Sequence, residues 1–251
     1  MRIINLIAFL AMTIVNFIAV QTPIMGMSPG EVSDLFPAMF TPADFTFAIW
    51  SFIYLAVGTF VIKGLFIEED NAKEIEIIGY LFMATCLYNI GWIIAWQHLH
   101  IGISFGLMFL LWATLAYIYY KLATNDARSL YTIPFSIYLG WIAVSILANF
   151  NVLLIDAGFA FMGMEQETWT TILILIGIVG GFIMLYLNKD VVFTTVLVWA
   201  FSGIVFKNGG GEMNMMVIVG IIGILLLIIA TGIVSFRKLK SNGYVLVPAK
   251  N

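Results

Sequence analysis

Large aromatic side chains and amides recur at helical spacing in three apolar stretches of the chain. A helix turns once in about 3.6 residues, so side chains three or four positions apart share one face. The three stripes are Phe47, Trp50 and Tyr54; Asn89, Trp92 and Trp96; and Tyr138, Trp141, Ser145 and Asn149. Flat rings beside a few hydrogen-bonding groups suit a pocket for a flat, hydrophobic small molecule.

The same residues also have a purely structural interpretation. An Asn in a membrane helix commonly joins two helices by a hydrogen bond. Trp near the end of a span is a typical interfacial anchor, and Trp50, Trp96 and Trp169 lie near such ends. From spacing alone, packing and ligand binding both remain open.

The composition identifies the surroundings of these stripes. The chain has 251 residues, of which 62% are hydrophobic and 10% charged, and its mean hydropathy is +1.05. A soluble domain is nearer to roughly half apolar and a quarter charged. We therefore predict an all-α, polytopic membrane protein whose surroundings are the lipid bilayer. The sequence has no basic cluster of the kind that binds nucleic acid, so nucleic acid is not an expected partner.

Eight stretches are long enough to span a bilayer, since a span needs roughly 20 mostly apolar residues. They cover residues 3–21, 45–67, 75–97, 101–122, 131–153, 169–187, 190–207 and 214–236. The sequence QHLH at 97–100 leaves almost no connection between the third and fourth spans, which predicts a tight helical hairpin. The first span resembles a secretory signal but lacks a clean cleavage site, so we expect it to be retained.

The basic residues predict the orientation of the chain. With eight spans both termini lie on one side, and every Lys and Arg except Lys207 falls on that side. Basic loops tend to stay in the cytoplasm. We therefore predict an inner or plasma membrane location with both termini cytoplasmic. The loop 22–44, which carries acids and no basic residue, is expected on the outer face.

Ionisable residues are missing from the predicted membrane interior. All 14 Asp and Glu residues lie in loops or at span ends, and no Lys, Arg or His lies in mid-span. This disfavours a pump that uses buried carboxylates, while sodium sites made of carbonyls and hydroxyls remain open. His98 and His100 are interpreted as solvated turn residues. We predict no catalytic residue, no metal site, no required cofactor and no enzymatic activity.

Three motifs occur in order: WSFIYLAVG (50–58), NIGW (89–92) and YLGWIAVSILAN (138–149). By these motifs residues 1–155 resemble the TspO/MBR family, the tryptophan-rich sensory or translocator proteins. The resemblance implies a five-helix bundle with a pocket beneath its first loop. It also implies binding of a porphyrin, another tetrapyrrole or a sterol-like molecule, with a sensing or regulatory role. The predicted ligand-binding residues are Trp50, Tyr54, Asn89, Trp92, Tyr138, Trp141 and Asn149.

The chain departs from the family pattern in two places. The family often has Pro-Pro-x-Trp before its second helix, whereas TPAD (41–44) places Asp44 where the Trp is expected. Three spans are additional to the family's five. We therefore predict a TspO-like bundle at 1–155, three further transmembrane helices at 156–236, and a short cytoplasmic tail at 237–251.

Two other functions remain as alternatives. The chain could transport a small neutral or amphipathic solute, with the three additional spans as the moving part. It could also act on a bound pigment or lipid through Trp radical or photo-oxidative chemistry, although no acid–base or metal set supports this. Pairs of glycines four residues apart, Gly102 with Gly106 and Gly177 with Gly181, allow helices to approach closely and leave a homodimer open.

Overall fold

The computed structural model describes residues 1–23, 26–66, 78–125, 129–159, 163–211 and 214–241. Its helices are α1 (Arg2–Gln21), the short α2 (Pro29–Asp34), a 3-10 helix (Asp44–Ala48), α3 (Ile49–Phe66), α4 (Tyr80–Gln97), α5 (Ile101–Thr124), α6 (Ser129–Asp156), α7 (Gln166–Asn188), α8 (Val191–Asn208) and α9 (Met215–Ser241). Each predicted span corresponds to one long helix, and the described residues contain no strand. The prediction of an all-α polytopic membrane protein is confirmed. The start of the third span and residues 242–251 of the predicted tail lie outside the described residues.

Seven of the long helices are apolar enough to cross a membrane by length and composition. The exception among the described helices is α4, which has 18 residues and carries Asn89 and Gln97. Both amides are almost completely buried against neighbouring helices. The lower hydropathy of α4 therefore reflects polar side chains that face protein, because buried polar groups in a membrane find partners on adjacent helices.

Five helices form a closed ring. Helix α1 packs against α3 and α4, helix α6 packs against α3 and α5, and α4 packs against α5. Phe60, Phe82 and Phe135 fill one end of the ring, with edge-on contacts at centroid distances of 5.2 to 6.1 Å. The other end lies beneath the segment that joins α1 to α3.

The last three helices pack against one another, and α8 lies against α6 of the ring. Glycines on these helices allow the backbone of one helix to approach the side chains of the next. A Cβ added at Gly177 would meet the ring of Phe201, and one at Gly140 on α6 would lie 3.0 Å from Cβ of Val196. Gly181 likewise faces Leu197 and Leu227, whereas Cβ atoms at Gly102 and Gly106 would meet nothing within 4 Å. One predicted glycine pair is therefore used inside the chain.

Two short turns fix the order of these helices. The predicted hairpin is confirmed, because α4 ends at Gln97 and α5 begins at Ile101. Leu99 has a left-handed backbone (φ 57°), and the His100 N–H donates to the Ala95 carbonyl at 2.9 Å. Between α7 and α8, the Asp190 carboxylate accepts hydrogen bonds from the first N–H groups of α8 and from Ser136 Oγ at 2.7 Å. This carboxylate caps α8 and joins it to α6.

Candidate functional site

A cavity of about 810 Å³ lies inside one end of the five-helix ring. Side chains of α1, α3, α4 and α6 form its walls, and the segment 27–48, which includes α2 and the 3-10 helix, covers it. We call this segment the roof. Five of the seven predicted site residues line the cavity: Trp50, Tyr54, Trp92, Trp141 and Asn149. Their proposed role in binding a ligand stays a prediction.

Four aromatic rings from α3 and α4 form a column along one wall. Tyr54 stacks on Trp50 at a centroid distance of 5.6 Å, Trp50 on Trp92 at 6.4 Å, and Trp92 on Trp96 at 6.4 Å. Successive rings lie within 25° of parallel. Offset stacking of this kind is a favourable arrangement for aromatic rings. It gives the cavity a broad apolar wall.

Trp141 of α6 closes the column from the side. Its ring meets Trp50 edge-on at 6.4 Å and Phe47 edge-on at 5.8 Å. Its indole N–H is buried and has no hydrogen-bond partner among the described residues. Trp141 therefore contributes its ring to the wall, and no hydrogen bond between described residues depends on its side chain.

Asn89 and Tyr138, the other two predicted site residues, lie behind the wall and are not among the residues that line the cavity; their predicted role in ligand binding stays a prediction. Asn89 accepts a hydrogen bond from Asn16 Nδ2 at 2.7 Å and donates to the Tyr138 hydroxyl at 3.0 Å. The Tyr138 ring packs edge-on against Trp50 at 6.0 Å. The two residues support the column and join α1, α4 and α6, which is the structural role that the sequence left open for an Asn.

Asn149 lies at the cavity surface and is also bonded to other helices. Its Oδ1 accepts from Trp92 Nε1 at 3.1 Å and from Ser104 Oγ at 3.5 Å, and its Nδ2 donates to the Ser145 carbonyl at 3.0 Å. The Asn149 amide therefore fixes the orientation of Trp92. Trp96 and Trp169 are buried inside the protein, so neither acts as a lipid-exposed interfacial anchor.

Hydrogen bonds from α4 hold the first half of the roof. Trp96 Nε1 donates to the Pro29 carbonyl at 3.0 Å, and Gln97 Nε2 donates to the carbonyls of Ala19 and Met27 at 2.8 and 2.9 Å. Helix α2 begins with a capping box, in which Ser28 and Glu31 each accept from the other's backbone N–H. The hydrogen bond from the Ser28 backbone, followed by that from its hydroxyl, lowers the pKa of the Glu31 carboxyl below its ordinary value.

The second half of the roof is bonded to α8. The Ala43 N–H donates to the Gly203 carbonyl at 3.1 Å, and Trp199 Nε1 donates to the Thr46 carbonyl at 2.9 Å. Asn208 Nδ2 donates to the Met39 carbonyl at 2.9 Å. A Cβ at Gly203 would lie 3.0 Å from Cβ of Thr46. The roof thus passes directly over the backbone of one of the three additional helices.

Several lining residues were missed by the sequence analysis. They come from α1 and from the roof: Thr13, Asn16, Phe17, Ser28, Ser33 and Thr41. Asn16 carried a usable signal, since an amide inside an apolar span indicates a polar partner. The small hydroxyl residues carried none, because Ser and Thr are common in membrane helices and loops.

Asp44 is the one charged residue among the described residues that line the cavity. No Lys, Arg or His of the described chain borders it. The described residues also contain no group of three or more His, Cys, Asp or Glu placed to hold a metal ion. His98 and His100, in the turn after α4, stack on each other with a ring-centroid distance of 6.2 Å.

The fold and the cavity define a polytopic helical membrane protein with an aromatic, ligand-sized cavity beneath its first loop. The sequence profile of the family described as TSPO-like protein matches residues 2–233. The chain therefore belongs to the TSPO-like protein family, and the prediction of TspO-type membership is confirmed. The match extends past residues 1–155, from which the resemblance was drawn, and includes α7, α8 and α9 as far as residue 233. No curated protein and no solved structure matches the chain.

Proposed function

We propose that this protein binds a flat, hydrophobic small molecule, such as a porphyrin or a sterol-like compound, in the aromatic cavity. The observation that carries the proposal is the column of four stacked rings along one wall of an 810 Å³ cavity. Sites for small molecules are commonly about 300–1,000 Å³, mostly apolar, with a few polar groups. Asn149, Ser145 and Ser51 supply such groups here.

We further propose a sensing or regulatory role. A ligand in the cavity would touch both the ring wall and the roof, and the roof is bonded to α8. Binding would therefore bias the position of the 3-10 helix against α8. A ligand acts on a conformational equilibrium only through different contacts in the two states, and the roof is the element that provides this difference.

Quenching of tryptophan fluorescence by protoporphyrin IX tests the binding proposal. The full chain has seven Trp residues, and we expect saturable quenching beyond that of protein-free lipid. Trp141→Ala should weaken binding about tenfold, since truncating a central aromatic contact costs about 1–2 kcal/mol. Trp112→Ala is the matched control, because it also removes one Trp but lies outside the cavity. Equal affinities in both variants would remove Trp141 from the binding site.

We propose that the roof faces outward from the plasma membrane and that both termini are cytoplasmic, as the basic residues predict. Cysteine labelling tests this in a Cys86→Ser background, which removes the one cysteine of the chain. A membrane-impermeant maleimide should label Glu165→Cys on intact cells and Lys240→Cys only after permeabilisation. The opposite pattern would reverse the proposed orientation.

A further inference from the structure

The charge of the cavity is set by one residue. Asp44 begins the 3-10 helix, and Phe47 follows it three positions later. Residues three apart in a 3-10 helix lie on the same side, and both side chains line the cavity. Since Phe47 packs edge-on against Trp141, the Asp44 carboxylate lies at the roof end of the aromatic wall.

This carboxylate has no counter-ion within the described protein. The hydrogen bonds and ion pairs among the described residues include none to the Asp44 side chain. Lys207, the basic residue at this end of the molecule, lies 3.8 Å from Asp34 instead. The exposed Asp44 side chain is thus available to a group that enters the cavity.

The surroundings strengthen the negative potential at the mouth of the cavity. Gln166 Nε2 donates to the Pro37 carbonyl, and the Met215 N–H donates to the Glu167 carboxylate. These bonds place the loop ends of α7 and α9 beside the roof. Acidic residues at this end among the described positions are Glu31, Asp34, Asp44, Asp156, Glu165 and Glu167, against Lys207. An excess of one sign of charge around a cleft raises the local concentration of ligands of the opposite sign.

The aromatic wall carries no positive group that would oppose this preference. Trp50 stacks on Tyr54 and Trp92, and Trp92 stacks on Trp50 and Trp96, so the wall contributes apolar contact. A ligand carboxylate at the roof end would face Asp44 with no basic partner among the described residues.

We propose that Asp44 selects the charge of the ligand, so that the cavity prefers a flat hydrophobic molecule with an amine or other cationic group at the roof end over one that bears carboxylates. This inference rests on the proposed function, since it names the chemical class of the molecule bound in the same cavity. The aromatic wall supplies the apolar contact, and Asp44 pairs with the cation.

Three probes with one macrocycle and different charges test the inference. Protoporphyrin IX carries two carboxylates, its dimethyl ester is neutral, and its bis(aminoethyl) amide carries two ammonium groups. We expect the full-length protein in neutral lipid nanodiscs to bind the diamine most tightly and the dicarboxylate least tightly. Asp44→Asn should weaken diamine binding about twofold to fivefold, the size expected for one exposed charge pair. It should leave the affinity for the ester unchanged and tighten binding of the dicarboxylate.

Glu165→Gln is the matched control. It removes a carboxylate at the same end of the molecule, but Glu165 is exposed and does not line the cavity. A diamine preference that survives Asp44→Asn, or that falls equally in Glu165→Gln, would overturn the role of Asp44. Saturable binding of all three probes with equal affinity would overturn the charge preference and leave the proposed function standing. If no probe saturates beyond empty nanodiscs, the proposed function fails, and this inference fails with it.

Discussion

The five-helix ring and the three-helix unit of α7, α8 and α9 solve the same packing problem in opposite ways. In the ring, stacked aromatic side chains form one wall, and hydrogen-bonded amides such as Asn89 and Asn149 fix the positions of the helices. In the three-helix unit, glycines let bulky side chains of one helix press against the backbone of another. The first arrangement leaves about 810 Å³ of space, and the second fills the interface. The cavity therefore lies in the region where aromatic rings and hydrogen-bonded amides join the helices.

The two regions meet at the roof. Its first half is bonded to α4 of the ring and its second half to α8. At Gly203, the absence of a Cβ on α8 leaves room for Thr46 of the roof. A substitution on α8 can therefore alter the shape of the cavity through the roof, although no residue of α8 lines the cavity.

The largest expected effect is on the stability of the three-helix unit. A Cβ at Gly223 would lie 2.9 Å from Cγ1 of Ile178, so Gly223→Val should destabilise the protein by about 1–3 kcal/mol through overpacking. Thermal unfolding in detergent should show the lower midpoint. Gly232→Val on the same helix is the control, since a Cβ there would meet nothing within 4 Å. The porphyrin affinity of the folded Gly223→Val protein should be unchanged. A fall in affinity together with the fall in stability would show that the three-helix unit and the cavity are energetically coupled.

The next test concerns the buried hydrogen bonds between side chains that join the helices of the ring. Asn89→Leu removes the acceptor of Asn16 and the donor to Tyr138, so it should lower stability by about 1–2 kcal/mol, as expected for hydrogen bonds between membrane helices. Ligand affinity should change less than stability, because Asn89 lies behind the wall. Titration and thermal unfolding of one preparation compare the two, with Asn125→Leu at an exposed helix end as control. Loss of binding without loss of stability would instead make Asn89 a direct ligand contact.

The contact between the two regions should have an intermediate effect. Gly203→Ala would displace the 3-10 helix, because the new Cβ would lie 3.0 Å from both Cβ and Cγ2 of Thr46. We expect binding about threefold to tenfold weaker, corresponding to about 0.6–1.4 kcal/mol. Adding Thr46→Ala should restore part of the affinity, since it removes Cγ2 and the hydroxyl. Gly106→Ala is the control. An unaltered affinity in Gly203→Ala would show that the contact with α8 does not influence ligand binding.

The smallest effect concerns α2 and pH. A lowered Glu31 pKa means that the ionised carboxylate stabilises the folded cap. This contribution is present above the ordinary pKa of a glutamate and is lost as the pH falls through the lowered pKa. Amide-exchange protection of residues 29–34 should therefore decline on acidification. Glu31→Gln retains a capping side chain and should remove this pH dependence; the same decline in the variant would assign it to another group.

Helical periodicity predicted the helices and the faces of the site, but not the depth of each residue. Trp50, Trp92 and Trp141 line the cavity as expected, whereas Asn89 and Tyr138 share their stripes and lie deeper. A stripe predicts which face of one helix is turned inward. The depth at which a cavity lies along that face depends on how all five helices pack around it. The α1 residues that line the cavity and the contact between Gly203 and Thr46 both depend on parts of the chain that are distant in sequence. Nothing in the local sequence distinguishes Gly203 from the other 21 of the 22 glycines.

The low hydropathy of α4 has a consequence for biosynthesis. Until its neighbours are in place, this helix would expose the amides of Asn89 and Gln97 to lipid, where an unpartnered polar group is costly. Only His98, Leu99 and His100 separate it from the strongly apolar α5. We expect the two helices to leave the translocon together as a hairpin, with α5 supplying the partitioning free energy that α4 lacks.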